Sequence, residues 1–282
     1  LFDKNNVISV NPNKKPERIG LLPAGGRAVR LGPIPCSKEI FPIGFTKVGS
    51  EGKMQATAAA TGLLESMHLA GAKVAFFILR NGKWDIPAYY GHGGQLKMNL
   101  AYLMMGQPYG APYTLDQAYP FIQNATILFG FPDILFHPKD AFVRLLERQS
   151  ETETDIVLGG FKAGNPAKVD MLVVDGQGRV KDIVIKPAKT TLTHTWILAV
   201  WTARFSRYLH DYIADDRRMR SKCNVNPNDS EGFVGDVIRA AIKESWTVET
   251  VFFDHGAYMD VGTPEDMINA MSNSNWTSGG KE

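Results

Sequence analysis

Ile19-Gly20-Leu21-Leu22-Pro23-Ala24-Gly25-Gly26 is a short apolar run that empties into a glycine pair. An apolar run bounded by turn residues is the pattern of a buried strand with a loop at its carboxyl end. The stretch Thr57 to Ala70 follows, with Ala60, Leu63, Leu64 and Met67 at helical spacing and Gly71 where a helix C-cap glycine belongs. Lys73 to Leu79 then reads as a second buried strand. Strand, loop, helix, strand is a βαβ unit, whose crossover makes its two strands parallel neighbours.

The alternation continues with a strand at Thr126 to Phe129, a helix at Ala141 to Gln149 and a strand at Asp155 to Gly159. The fold expected is α/β, a Rossmann-like, mostly parallel central sheet flanked by helices. In such sheets ligands gather beyond the carboxyl ends of the strands, so the loops after Leu22 and Phe129 should face one crevice. Met171 to Val174, the turn Asp175-Gly176-Gln177-Gly178, and Val180 to Ile185 form a hairpin signature, which adds a smaller antiparallel sub-region. Asp215 to Glu231 is charged and rich in Asn and reads as a surface loop or lid; Val234 to Lys243 reads as a helix and Val248 to Phe253 as a strand. The predicted organisation is an extended lead-in over 1–18, a single domain over 19–271 with its antiparallel part at about 160–232, and a flexible tail over 272–282.

Composition bounds the function. Hydrophobic residues make up 44% of the chain, ordinary for a protein with a real core. Lys and Arg number 31 against 29 Asp and Glu, so there is no cationic excess of the kind nucleic-acid binding exploits. Cys36 and Cys223 match no metal-ligand spacing and make no disulfide framework. No apolar run approaches the roughly 20 residues of a membrane helix. A cytoplasmic protein with no membrane or nucleic-acid partner is expected, as a homo-oligomer.

The loop itself carries chemistry. Gly25-Gly26 lets the backbone turn sharply and bring its N–H groups against an anion. Arg30 adds a guanidinium fork suited to phosphate oxygens, and Lys38 returns a second cation eight residues later. Neither the Walker A loop nor the GxGxxG fingerprint matches.

Leu21 to Ile43 resembles the signature of the sugar-phosphate nucleotidyltransferases, the glucose-1-phosphate thymidylyltransferase group in particular. That pattern is roughly Leu-Ala-x-Gly-x-Gly-Thr-Arg-Leu-x-Pro followed by Pro/Ser-Lys-x-Leu/Met-x-Pro-Ile/Val. Gly25, Gly26, Arg30, Leu31, Pro33, Ser37, Lys38, Pro42 and Ile43 fall on it; Ala28 and Val29 stand where the family has Gly and Thr. Tyr258-Met259-Asp260-Val261-Gly262-Thr263-Pro264-Glu265 is similar to the family's Trp-x-Asp-Ile/Val-Gly-Thr-Pro-Glu, and Gly130-Phe131-Pro132-Asp133 loosely matches its Gly-Asp after a strand.

The resemblance implies a GT-A-like nucleotidyltransferase fold and an enzyme that condenses a nucleoside triphosphate with a sugar 1-phosphate, giving an NDP-sugar and pyrophosphate. It implies catalytic roles for Arg30, Lys38 and Lys186, with Arg30 and Lys38 on the phosphates that leave. It implies Mg²⁺ held by Asp133 and Asp260, an ion whose one or two carboxylate ligands are completed by substrate phosphates. Nucleotide contacts fall on Leu22, Ala24, Gly25, Gly26, Gln107 and Thr114. A Gln amide offers the donor and acceptor that thymine or uracil requires, which favours dTTP or UTP.

Val184-Ile185-Lys186-Pro187 is similar to the family's Glu-Lys-Pro, whose lysine grips the sugar phosphate, so Asp170, Ile185, Lys186 and Trp196 are the implied sugar-phosphate positions. Ile185 replaces the glutamate, Val169-Asp170 a Tyr-Gly pair, and Trp196 a glycine. A site without that carboxylate cannot hydrogen-bond glucose hydroxyls in the usual way, which predicts an atypical sugar or a closed pocket. A catalytically silent nucleotide-binding or regulatory relative is the alternative; retention of both acids and all three cations speaks against it.

Overall fold

The computed structural model describes residues 16–48, 52–106, 109–222, 231–273 and 276. In chain order, β1 is Glu17–Ala24, β2 Pro42–Val48 and β3 Lys53–Ala58, followed by α1 Thr61–Leu69, β4 Val74–Leu79, α2 Asp85–Tyr90 and β5 Asn99–Met104. Then come α3 Ala111–Leu115, α4 Tyr119–Ile122, β6 Ala125–Gly130, β7 Ile134–His137, α5 Ala141–Thr152 and β8 Ile156–Lys162. The chain continues through β9 Met171–Val174, β10 Val180–Val184, β11 His194–Trp201, α6 Ala203–Lys222, α7 Val234–Lys243, β12 Val248–Phe252, β13 Ala257–Asp260 and α8 Pro264–Ser272.

The opening stretch of sequence becomes the middle of the sheet. β1 pairs in parallel with β4 from Ile19↔Val74 to Ala24↔Leu79, and with β6 from Glu17↔Ala125 to Leu21↔Phe129. β5 joins beyond β4, also parallel. On the other side, β11 runs antiparallel to both β6 and β8, and β12 lies parallel to β8. The β9–β10 hairpin branches off β11 at Thr195↔Met171. The sheet is therefore mixed, parallel through β6, β1, β4 and β5 and antiparallel around β11, with the antiparallel hairpin at one end.

Strand residues alternate between two apolar layers, as the period of two dictates. Leu21, Phe76, Ile78, Ile127 and Phe129 pack under α6 and α7 with Phe205, Leu209, Val237 and Ile238. Leu22, Phe77, Leu79 and Leu128 pack on the opposite face with Leu63, Leu64, Met67, Phe142 and Leu145 of α1 and α5. Burying each such side chain contributes about 1.5–3 kcal/mol, which is why hydrophobic runs rather than charges locate the sheet. A third, smaller cluster joins Leu31, Ile43, Leu135, Val261 and Met267, and packs α8 against the far side of the loop.

The expected elements form with shifted ends. The first helix begins at Thr61, and Gly71 adopts φ +87° where the C-cap glycine was expected. The hairpin turn forms with Gly178 at φ +84°, and the Asp175 carboxylate accepts from Gln177 N and Arg179 N.

The surface loop or lid read over Asp215 to Glu231 is corrected in part: α6 continues to Lys222, while 223–230 lie outside the described residues. Opposite charges at helical spacing sustain this polar turn, Arg218 with Asp215 and Arg220 with Asp216 at 2.7 Å. Its inner side is fastened too, because Tyr113 of α3 donates to Asp216 and Arg217 bonds the buried Asp116 at 2.9 Å. Of the tail, Trp276 packs its ring 5.7 Å from His137; most of the rest of 272–282 is outside the described residues.

Candidate active site

The loop after β1 turns at the carboxyl edge of the sheet, as the strand order requires. A side chain at Gly25 would bring its Cβ within 2.7 Å of Met105 Sδ, so glycine is needed there for packing. Ala28 adopts φ +53°, a left-handed conformation that glycine takes without cost and that costs an L-residue about 1–2 kcal/mol. Val29, in place of threonine, is exposed.

Lys38 opens a short 3-10 turn, Lys38–Ile40, and both of its neighbours are clamped to the loop after β4. Ser37 donates to Asp85 through its N–H at 2.5 Å and its hydroxyl at 2.7 Å. Glu39, 1% exposed, accepts from the buried Lys83 Nζ at 2.5 Å. Burial pushes the Glu39 carboxyl above its ordinary value while the Lys83 charge works against that shift. Nothing in the sequence reading pointed to Lys83 or Asp85; the only available signal was an acid beside Lys38 with no role of its own.

Two acids meet through a small ribbon outside the main sheet. β7 follows Asp133, β13 ends at Asp260, and the two strands pair antiparallel with Ile134 opposite Asp260. Val261 N donates to Asp133 O at 2.9 Å and locks the register. Thr263 caps α8 by accepting from Asp266 N, with Pro264 in the first turn, so Asp260 is not needed as a cap.

Lys38 Nζ bonds Asp133 Oδ2, and Arg30 Nη2 lies 3.5 Å from Asp260 Oδ2. Burial works against the Lys38 ammonium, but the charges of Asp133, Glu39 and Asp260 outweigh it and hold its pKa above the ordinary lysine value. Desolvation and the charge of Asp133 push Asp260 up, against the pull of Lys38 and Arg30. Two crowded carboxylates with cations on them are a hard-oxygen donor set. Among the described residues no group of three or more His, Cys, Asp or Glu is placed to hold a metal, so a cation here would draw its remaining ligands from substrate and water.

Two cavities share this acid as a wall. One, of about 450 Å³, is lined by Gly25, Gly26, Arg27, Lys38, Thr114 and Asp133. The other, of about 240 Å³, is lined by Asp133, Asp260, Asp170, Lys186, Trp196 and Phe233. Glu231 lines both and was read in sequence only as part of a lid. Gly232 beside it bridges to Gly110, with Gly232 N donating to Tyr109 O at 2.8 Å, which returns the chain after α6 to the site.

The sequence signature of the nucleotidyl transferase family matches residues 19–275. The chain belongs to the nucleotidyl transferase family. It is 21% identical over 255 residues to the low-salt glycan biosynthesis nucleotidyltransferase Agl11 of Haloferax volcanii; the match covers 89% of this chain and 64% of that protein. The chain thus spans just under two thirds of the length of this relative. In fold it is similar to a Bacillus anthracis protein described as a glucose-1-phosphate thymidylyltransferase, solved with sucrose, at TM-score 0.74 and 15% identity, covering 94% of this chain and 98% of that one. A UDP-glucose pyrophosphorylase complexed with UDP-glucose matches at TM-score 0.68 and 16% identity, over 91% and 97%.

The fold of the family member accounts for where the implied residues fall. Gly25, Gly26, Lys38 and Thr114 line the larger cavity, and Asp170, Lys186 and Trp196 the smaller. The side chains of Leu22 and Ala24 are wholly in the core, as successive same-face positions of a central strand, which leaves their main chain as the part that could meet a ligand. Ile185 does not line the smaller cavity. Its side chain packs against the core and the Gly235 backbone instead of the cavity, because an apolar residue after β10 buries itself when it can. Gln107 lies outside the described residues. Lys186, at φ +41°, holds its ammonium 3.8 Å from the centre of the Phe233 ring.

Proposed function

We propose that this family member is a Mg²⁺-dependent sugar-1-phosphate nucleotidyltransferase. The observation that carries the proposal is the shared wall at Asp133 between a cavity beside the glycine loop, where we place the triphosphate, and a cavity beside Lys186, where we place the phosphorylated acceptor. A phosphate oxygen of the acceptor attacks the α-phosphorus in line; the new P–O bond forms as the bond to the β-phosphate breaks, and pyrophosphate leaves with the electron pair. Positioning and charge neutralisation do the work, with no covalent intermediate.

Backbone N–H groups at Gly25 and Gly26 cradle the triphosphate, Lys38 and Arg30 neutralise the leaving pyrophosphate, and Lys186 swings from Phe233 to orient the acceptor phosphate. Asp133 and Asp260 would hold Mg²⁺, which supplies charge neutralisation on the phosphates when bound. A pyrimidine triphosphate, dTTP or UTP, is the expected donor, from the resemblance around Gln107. The test is pyrophosphate release over a matrix of nucleoside triphosphates and sugar 1-phosphates with Mg²⁺. Release that Lys38→Ala abolishes supports the reading; silence over the whole matrix, with triphosphate binding still measurable by calorimetry, overturns it in favour of a binding-only relative.

A further inference from the structure

Arg80-Asn81-Gly82-Lys83-Trp84-Asp85 follows β4, so it leaves the sheet at the same carboxyl edge as the glycine loop. Gly82 at φ +97° lets Lys83 N donate back to Arg80 O at 3.3 Å, a tight turn with glycine in its third place. Beyond the turn the segment is strapped twice to the stretch that carries Lys38: Lys83 Nζ bonds Glu39 at 2.5 Å, and both carboxylate oxygens of Asp85 accept from Ser37. The clamp that steadies Lys38 therefore fixes Arg80 as well, at the head of the same turn.

A further cavity, of about 420 Å³, adjoins the loop here. Gly26, Arg27 and Lys38 line both it and the 450 Å³ cavity. The Lys38 ammonium lies against Gly26, where an added Cβ would stand 3.7 Å from Nζ. Arg80, Lys83 and Asp85 line only the new cavity, and its Gly32, Pro33, Asn81 and Gly82 are exposed, so it opens to solvent.

Its chemistry narrows the ligand. No aromatic ring lines it, so a base has nothing to stack on. Arg27, Lys38, Arg80 and Lys83 stand against one carboxylate, Asp85, which is spent on Ser37. Lys38 and Lys83 are matched by Asp133 and Glu39. Among the described residues no acid pairs with the half-buried Arg80, which leaves its guanidinium to attract an anion. A guanidinium fork beside an ammonium suits the paired oxygens of a phosphate.

We propose that Arg80 is a pyrophosphate-binding residue: pyrophosphate released beside Lys38 passes over Gly26 into this cavity and is held there by Arg80 before it leaves. This rests on the nucleotidyl-transfer reading above and adds the product's route out. In reverse the same subsite loads pyrophosphate. One of its oxygens then attacks the α-phosphorus of the NDP-sugar, the bond to the sugar phosphate breaks, and sugar 1-phosphate leaves with the electron pair. The triphosphate itself stays in the 450 Å³ cavity.

The test has a binding arm and a turnover arm. Pyrophosphate, UTP and dTTP, each with Mg²⁺, are titrated separately into the full chain by calorimetry. Arg80→Met should weaken pyrophosphate by about tenfold or more, the scale of one hydrogen bond to a charged group, with Arg80→Lys in between. Triphosphate affinity, the check on folding, should stay within about twofold. In the reverse reaction the KM for pyrophosphate should rise by the same factor while that for the NDP-sugar does not move.

Pyrophosphate affinity that Arg80→Met leaves unmoved, or that is absent in the wild type, overturns the subsite. So does equal weakening of pyrophosphate and triphosphate, which would put Arg80 in the triphosphate cavity. Pyrophosphate release from the substrate matrix with any of these results leaves the nucleotidyltransferase reading standing; selective weakening without release supports the subsite and sinks that reading.

Discussion

The nucleotide side and the acceptor side of this molecule handle their polar groups in opposite ways. Around the glycine loop, Lys38 is on Asp133, Arg30 near Asp260, Ser37 on Asp85 and Lys83 on Glu39; of the buried side-chain atoms there only Glu39 Oε2 is left over. Around the hairpin, a carboxylate oxygen of Asp170 and the indole N–H of Trp196 are buried with no hydrogen-bond partner, although both residues line the smaller cavity. The glycine-loop side is preorganised by its own contacts, and under the proposed function a triphosphate with its cation would exchange for partners already in place. The hairpin side carries the cost of unpaired buried polar atoms.

The contrast can be broken most decisively at Lys38. Lys38→Ala should lower kcat/KM by about 10²–10³, the usual loss for one electrostatic group aimed at developing charge; it also leaves the largely buried Asp133 without its cation, so melting temperature should fall too and the kinetics are read well below it. Steady-state kinetics decide it, and an unchanged turnover would remove the loop from the mechanism. Next is Lys83→Met, which leaves Glu39 buried and alone. Breaking a buried pair from one side costs about 3–5 kcal/mol, read by urea denaturation, and activity should fall as well because Lys38 loses a clamp.

Asp170 probes the other side through pH. Burial pushes its carboxyl up to about 6, with Asp236 adding to the shift and Lys186 opposing it. With the folded value above the unfolded one, this group's contribution to stability is greatest below about pH 4, declines as pH rises through the window to about 6, and stays low above it. Asp170→Asn should therefore gain stability over wild type at pH 8, by up to about 3 kcal/mol, and lose that advantage near pH 4. Equal pH profiles in denaturation would show that the carboxylate is not strained as described. The smallest effect is expected from Ala28→Gly, which relieves the left-handed alanine and should add about 1 kcal/mol of stability.

Much of the scaffold was readable from the sequence, for a physical reason. Buried strands such as Leu21–Leu22 and Val74–Leu79 are hydrophobic on both faces and bounded by turns, so hydropathy alone places them. The ribbon that joins Asp133 to Asp260 was not readable, since β7 and β13 are four-residue strands whose meaning lies only in pairing. Glu39, Lys83 and Asp85 escaped for a similar reason: a charge that is buried by a distant partner looks like a surface charge until the partner is known. At Ile185 the motif fixes a place in the chain and not the direction of the side chain, which packs against the core.

The ribbon also sets the order in which this molecule can become competent. β1, β4 and β6 pair without needing any strand beyond β6, and the glycine loop then has its frame. Asp133 follows directly on β6, but its companion Asp260 ends β13, and β8 to β12 are all made between the two acids. The two carboxylates can therefore meet only after the intervening chain has been synthesised, and the register of two four-residue strands is what closes the pair.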